Sequence, residues 1–470
     1  MRTKLYVGPR LRQLREQHSL TLDKCAQRLG LSPSYVSQIE SNQRPVTARV
    51  IIALAQAFGV NPAEFNADDE SRLIADLREA SADLGLGTPT PGLSELRLAA
   101  TTTPTVARQF IALHRAYRGL DERLRNLDET VGIRSQDGPE TLTPYQEVRD
   151  FFHYRDNYFH ELDVAAETLA GELGIGNERS ADVALETALL QRFGVRVARA
   201  SAAEPALVRR YAPEQKTLFL PRDLSTATHT FQLAVQMAEL AFGESFAAIL
   251  HGAELKSRSA HDVARLGLTN YAAGALLMPY RQFAATAMDL RHDIEQLQRR
   301  YAASFEQICH RLSTLQRPGE RGIPFYFVRV DQAGNITKRH SSTRFQFARF
   351  GGACPLWNVH EAFGHPGQIL VQLAEMPDGV RYLSIGRAIV KRSGSYLQPN
   401  RHYAVGLGCE ATHAAQLVYS ERIALTGPAV RIGVSCRICE RKDCAQRAFP
   451  PVDRSITVPG NERSIVPYEF

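Results

Sequence analysis

Three of the chain's seven cysteines fall within nine residues, as Cys436-Arg437-Ile438-Cys439-Glu440-Arg441-Lys442-Asp443-Cys444. Thiolates at this C-x2-C-x4-C spacing can converge on one metal centre, with a fourth ligand supplied from elsewhere. Cys409, in Gly406-Leu407-Gly408-Cys409, is the first candidate for that place, and Cys354 and His413 stand behind it. Zinc takes four ligands in a tetrahedron, commonly from two paired knuckles, and only one C-x2-C is present. An iron–sulfur cluster of the 4Fe-4S kind tolerates the looser spacing. Three readings stay open: a cluster, zinc, and unmetallated thiols. Arg437, Arg441, Lys442 and Arg447 would offset the negative charge of a thiolate site of either kind.

A second constellation suits the reading of DNA bases. Residues 21–40 have the layout of a helix-turn-helix, with small Ala26 where two helices must cross closely and Gly30 placed to stop the first. Ser32 and Pro33 start the second helix as N-cap and first-turn proline. Val36 and Ile39 point to the core, which leaves Ser34, Tyr35, Ser37 and Gln38 to face a major groove. Cys25, on the inward face of the first motif helix, reads as a buried apolar residue rather than a thiol sensor. With apolar helices at 6–17 and 50–58, residues 1–66 resemble the Cro and phage-repressor domains. That resemblance implies base contacts from Ser34, Tyr35, Ser37 and Gln38, and phosphate contacts from Asn42 and Arg44. In one departure, Leu22 stands where the family often has glutamine, which removes a polar DNA contact there.

The elements that must position these groups divide a chain of 470 residues, enough for about three domains. A formal charge of +6 is modestly basic, as suits a protein that approaches phosphates without being a histone-like coat. The N-terminus lacks an apolar signal core and no run approaches the length of a membrane span, so a cytoplasmic location is expected. Seven cysteines in a reducing compartment then argue against a disulfide framework. The expected fold is multidomain, mostly α with α+β. Its parts are an all-α helix-turn-helix at 1–66, a helical linker at 67–144, a zincin-like middle at 145–310, and an α+β sensor domain at 311–470 carrying the metal-binding cysteine loop.

Within the linker, Phe110, Leu113, Tyr117, Leu120, Leu124 and Leu127 form a heptad seam, open to reading as a homodimer contact or as internal packing. Further on, residues 145–170 read as one long helix, 195–197 and 217–220 as strands, and 228–242 and 270–287 as helices, the last broken at Pro279. Strands are expected at 325–330 and 382–388, with a hairpin turn at 331–335.

Residues 231–240 and 271–279 resemble the ImmA/IrrE-like peptidase domain, whose helix carries H-E-x-x-H for zinc and a general base. Here those positions read Val235, Gln236 and Glu239, so the zinc ligands and base are lost and a peptidase is not expected; His229 and His261 nearby do not restore the spacing. The segment around Phe345 to Trp357, Cys409, the cysteine loop and the trailing Ala448-Phe449-Pro450-Pro451 resemble the short-chain fatty acyl-CoA regulator family, and the likeness extends over nearly the whole chain. It implies a transcription factor that binds double-stranded operator DNA and answers an acyl-CoA effector. Propionyl-CoA, acetate or glyoxylate-cycle metabolism would be under its control, and some members look like iron–sulfur proteins. Basic residues suited to the CoA phosphates are Arg344, Arg349, Arg387, Lys391, Arg392 and Arg401, with Trp357 as a possible adenine platform. Two alternatives remain beside this reading: an iron–sulfur redox sensor, and a repressor-cleaving metallopeptidase.

Overall fold

Helix signals in the first 129 residues produce seven helices: α1 (Gly8–Gln17), α2 (Leu22–Leu29), α3 (Pro33–Glu40), α4 (Ala48–Phe58), α5 (Ala67–Asp83), α6 (Leu93–Thr102) and α7 (Pro104–Glu129). The computed structural model describes residues 8–18, 20–41, 43–58, 67–83, 91–129, 144–176, 180–200, 207–253, 255–345, 347, 353–393, 396–451 and 454–470. One compact unit comprises residues 1–135 with 452–455, and a second comprises 136–451 with 456–470.

In the first unit, Leu11, Leu14, Cys25, Ala26, Leu29, Val36, Ile39, Val50 and Leu54 form the core of α1 to α4. A separate core holds α5 to α7, through Leu73, Leu77, Leu96, Ala107 and Ile111. The expected heptad seam divides here. Phe110 packs on that core, whereas Leu113 is 70% and Tyr117 46% exposed. The buried stripe of α7 is instead Ala107, Ile111 and His114. The side chains of Leu120, Leu124 and Leu127 lie outside the described residues.

The second unit begins with α8 (Pro144–His153) and α9 (His160–Leu173), where the sequence suggested a single helix. Asp156 and Asn157 take left-handed φ values of +51° and +55°, a conformation open to Asp and Asn at modest cost, and the chain turns there. Buried Asn157 secures the turn by donating Nδ2–H to Ser313 Oγ at 3.3 Å. The bend also lets Phe151 and Phe152 pack on Phe159, with ring centroids 5.6 and 5.2 Å apart.

Next come α10 (Ala181–Phe193), β1 (Arg196–Ala200), β2 (Arg210–Ala212) and β3 (Thr217–Pro221). Six helices follow: α11 (Thr226–Ala241), α12 (Gly243–His251), α13 (Arg258–Leu277), α14 (Tyr280–Asp289), α15 (Ile294–Tyr301) and α16 (Phe305–Leu312). Pro279 separates α13 from α14 as expected. Strand β3 pairs in parallel with β1 and antiparallel with β2. Deep in this region Arg311 donates twice to Asp163, at 2.7 and 3.1 Å, and Tyr271 donates to the same carboxylate at 2.6 Å. Both members of the ion pair are at most 2% exposed.

The chain ends in a six-stranded sheet of order β5-β4-β8-β7-β6-β9, built from β4 (Tyr326–Asp331), β5 (Ile336–Ser341), β6 (Leu370–Glu375), β7 (Arg381–Lys391), β8 (Arg401–Glu410) and β9 (Val430–Arg431). A short helix, α17 (Asn358–Glu361), packs on it. Successive side chains of a strand face opposite sides, so this sheet has two distinct faces. Phe327, Leu383, Ile385, Val405, Leu407 and Cys409 join the large core shared with α8 to α16. Tyr326, Val328, Tyr382 and Ala404 join a second core with Trp357, Cys354 and Ile432. Strand β8 was hidden by its glycines, which look like loop residues. A Cβ at Gly406 would come 2.5 Å from Val359 Cγ1, and one at Gly408 2.5 Å from the Tyr326 ring, so the glycines admit α17 and Tyr326 to the sheet.

Candidate nucleic-acid interface and cysteine loop

Caps define the DNA-reading element. Thr21 Oγ1 accepts the Lys24 N–H at 3.3 Å, and Gly30, at φ +66°, ends α2. Ser32 Oγ then accepts the Tyr35 N–H at 3.3 Å, with Pro33 in the first turn of α3. Cys25 is fully buried and burial raises its thiol pKa, as befits an inert core residue. Ser34, Ser37, Gln38 and Arg44 are exposed, and Tyr35 is half-buried. Arg44 lies over the Tyr35 ring at 5.3 Å, which fixes a cation beside the reading face. Asn42 lies outside the described residues.

Sequence reasoning missed Glu40. Its carboxylate, 4% exposed, receives Arg15 Nε at 2.7 Å and Nη2 at 3.0 Å, which clamps α3 to α1. A charged residue in the last turn of a helix reads as solvated surface until the tertiary contact is seen.

At the peptidase-like site, Val235 and Gln236 are buried and Gln236 Oε1 accepts Arg209 Nη1–H at 2.9 Å. Glu239 accepts Thr269 Oγ1–H at 2.7 Å and Arg265 Nη2–H at 2.9 Å. Its oxygens serve a guanidinium and a hydroxyl where the peptidase motif would use a metal ligand.

In the cysteine loop, Cys436 begins a short turn, Cys439 is buried, and Cys436 and Cys444 are half-buried. Arg447 ties the loop by donating to the carbonyls of Cys436 at 2.8 Å, Cys439 at 3.0 Å and Arg441 at 2.6 Å. Arg441 in turn reaches the Glu375 carbonyl at 2.8 Å. The Ala448 N–H points at Cys436 Sγ, 3.5 Å away. A Cβ on Gly433 would lie 2.9 Å from Cys439 Sγ, so only glycine fits beside that sulfur.

Cys409 is not part of this arrangement. It occupies the large-core face of β8 opposite Leu383, whereas Cys354 and the loop side chain of Ile432 belong to the other face. The residue that approaches the loop is Cys354. Burial raises its pKa, the Gly433 and Leu356 amides hydrogen-bond its sulfur, and Cys436 and Cys439 act on it electrostatically. His413 lies with α14 and Gln416. Among the described residues no three Cys, His, Asp or Glu side chains converge as a ready metal site.

The same sidedness scatters the expected CoA-binding set. Arg387 reaches Glu295 at 3.3 Å and lies over Phe305, and Lys391 pairs with Glu306 at 2.7 Å. Trp357 is 3% exposed on the opposite side, donating Nε1–H to Ser384 Oγ at 3.1 Å and packed against Tyr326, Phe345 and Phe347. It is a core residue and offers no stacking surface to an adenine. Arg344, Arg392 and Arg401 are exposed, and Arg349 lies outside the described residues. Glu306 also takes Arg329 at 2.8 Å and Lys338 at 3.0 Å. Burial pulls its carboxyl pKa up, but the three cations more than offset this and hold it below the usual carboxylate range.

A helix-turn-helix reader joined to a peptidase-like body without its metal ligands defines a ligand-responsive transcription factor by architecture. The comparisons with known proteins agree. Residues 11–65 match a helix-turn-helix family, 190–313 the IrrE N-terminal-like domain, and 314–468 the C-terminal domain of the short-chain fatty acyl coenzyme A regulators. The chain is 48% identical over 470 residues, all of both chains, to the propionyl-CoA carboxylase regulator of Cereibacter sphaeroides. It is 41% identical over 468 residues to the HTH-type transcriptional regulator PrpR of Mycobacterium tuberculosis, covering 99% of this chain and 96% of PrpR. RamB of the same species is 42% identical, with 99% of each chain covered. A solved Mycobacterium tuberculosis transcriptional regulator matches at a TM-score of 0.67 and 45% identity, over 70% of this chain and 100% of that one. The chain therefore belongs to the short-chain fatty acyl coenzyme A regulator family of helix-turn-helix transcriptional regulators. It is a regulator of transcription and not a peptidase. Among the described residues no single helix is long and apolar enough to cross a membrane.

Proposed function

We propose that the chain is a cytoplasmic, homodimeric transcription factor whose affinity for a double-stranded operator is set by a short-chain acyl-CoA, and that it controls genes of propionyl-CoA, acetate or glyoxylate-type metabolism. The observation that carries this reading is the end-to-end 48% identity to a regulator named for propionyl-CoA carboxylase. Ser34, Tyr35, Ser37 and Gln38 would read bases, and Arg44 would hold a phosphate. Effector binding need shift operator affinity by only about 1 to 3 kcal/mol to act as a switch.

The donor set around the cysteine loop fits a thiolate-bound group. Backbone amides of Gly433, Leu356 and Ala448 point at sulfur, and Arg441 and Arg447 bring positive charge to the loop. Cys354, Cys436, Cys439 and Cys444 would hold it, an iron–sulfur cluster in the first reading and zinc in the second. When bound, the group would contribute folding free energy to a segment with little regular structure.

Fluorescence anisotropy on a labelled promoter fragment, with and without propionyl-CoA, tests the main reading. The expected outcome is a change of about 5- to 150-fold in operator affinity with propionyl-CoA and none with free CoA. No response to any acyl-CoA of two to five carbons would overturn it.

A further inference from the structure

Between α14, residues 315–323 and the segment Ala411–Gln416 lies a cavity of about 450 Å³. Its wall is apolar, with Ala284, Ala285, Met288, Leu315 and Ile323, and its rim carries Arg281 and Arg321. Arg281 is 73% exposed and shared with Glu320 at 3.0 Å, and Arg321 is exposed. The volume lies in the range that holds a ligand of some twenty heavy atoms and is far more than a short-chain carboxylate needs.

His292 lines the cavity and supplies its one unusual polar feature. The residue is 4% exposed, and its Nδ1 has no hydrogen-bond partner. The other ring nitrogen donates to the Gln416 carbonyl, and burial pushes the imidazole pKa down to about 4. At neutral pH the ring is therefore uncharged, with an unmatched acceptor in a place where an orphaned polar atom is costly.

The turn that presents it is strained, with φ of +48° at Arg291 and +59° at His292. Contacts on both sides hold that strain. Arg291 donates to the Leu417 carbonyl at 3.3 Å and pairs with Glu421, and its own carbonyl accepts the Val418 N–H at 2.9 Å.

A ligand that satisfies these features has an apolar end, an internal N–H donor and an anionic end left at the mouth. We propose that this cavity is the effector site. It would take the acyl-pantetheine arm, with an amide N–H of the arm donating to His292 Nδ1 and the phosphates lying against Arg281 and Arg321. The assignment rests on the acyl-CoA reading above and adds the location, which none of the basic residues picked from sequence shares. It also supplies a route for the signal. The walls come from the IrrE-like segment on one side and the C-terminal regulator domain on the other, so an occupied cavity would clamp the two together.

Calorimetry on the full-length protein with propionyl-CoA and propionyl-pantetheine tests the site. Ala285→Trp, which fills the cavity from an exposed helix position, should weaken both esters more than about tenfold without lowering the melting temperature. His292→Phe should also weaken both. Arg321→Glu should weaken the CoA ester by about tenfold and leave the pantetheine ester unchanged, a split that a merely structural role would not produce. Wild-type affinity for both esters in Ala285→Trp, or in Arg321→Glu should the tryptophan variant fail to fold, would overturn the location while leaving the acyl-CoA reading intact. A wild-type protein that binds no acyl-CoA would overturn both.

Discussion

Arg15 and Glu40 meet in a two-toothed ion pair, 2.7 and 3.0 Å, at side chains only 14% and 4% exposed. This one contact sets how the reading helix sits on the body of its domain. Glu40→Gln keeps the shape and removes the charge, leaving a guanidinium buried without its counter-ion. The expected cost is about 3 kcal/mol of DNA-domain stability. Because the whole of α3 is then poorly held, operator and random DNA should lose affinity together, as a gel-shift series on both would read.

Base readout should behave differently. Gln38→Ala should cost about 1 to 3 kcal/mol on the operator and little on random DNA. Arg44→Ala should weaken every sequence and flatten the salt dependence. Tyr35→Ala should reproduce part of the Arg44 effect, because it removes the ring over which that guanidinium lies. Equal losses on operator and random DNA in Gln38→Ala would remove Gln38 from the reading set.

For the cysteine loop, Cys354→Ser and Cys409→Ser are the discriminating pair. Protein purified without oxygen should be brown if a cluster is present. Cys354→Ser, Cys436→Ser, Cys439→Ser and Cys444→Ser should each bleach it, because a hard oxygen replaces a soft thiolate. Cys409→Ser, across the sheet, should keep the colour, and so should Cys25→Ser. Colourless protein with one zinc per chain would favour the second reading of the same ligands.

In the second unit, the buried Asp163–Arg311 pair predicts a large stability effect from a conservative change. Asp163→Asn leaves Arg311 charged and under-partnered, and should cost about 3 to 5 kcal/mol in urea unfolding. Replacement of Glu320, 42% exposed at the cavity rim, should cost less than 1 kcal/mol.

Three buried histidines give the same unit an acid limit. Burial lowers the pKa of His292 to about 4 and of His310 to about 3, and it places His340 well below the ordinary value. Lys338 adds to the depression at His310 and His340, whose rings lie 4.9 Å apart. A folded-state pKa below the unfolded value of about 6.5 means that unfolding takes up protons. The stabilisation is thus whole above about pH 6.5 and falls away toward pH 4, on the order of 3 kcal/mol from His292 alone. Thermal melts from pH 7.5 to 4 should show it, and His292→Phe should shrink the slope. A flat profile would mean that these rings are solvated.

The helix-turn-helix was legible in the sequence almost residue by residue, because its signals are local. Gly30, Ser32 and Pro33 act on neighbouring backbone, and a period of 3.6 puts Val36 and Ile39 inward without help from distant chain. Loss of the peptidase chemistry was equally readable, since Val235 cannot ligate metal in any fold. The break between α8 and α9, strand β8 and the side of the sheet on which each group lies depended on distant partners. Asp156 and Asn157 turn where Ser313 receives them, and Gly406 and Gly408 form a strand because Val359 and Tyr326 need the space. A strand shows both faces in its sequence but not what covers each. Only the packed sheet separated Cys409, Arg387 and Lys391 from Cys354 and Trp357, and only the meeting of segments more than a hundred residues apart placed His292 in a cavity with an unmatched acceptor.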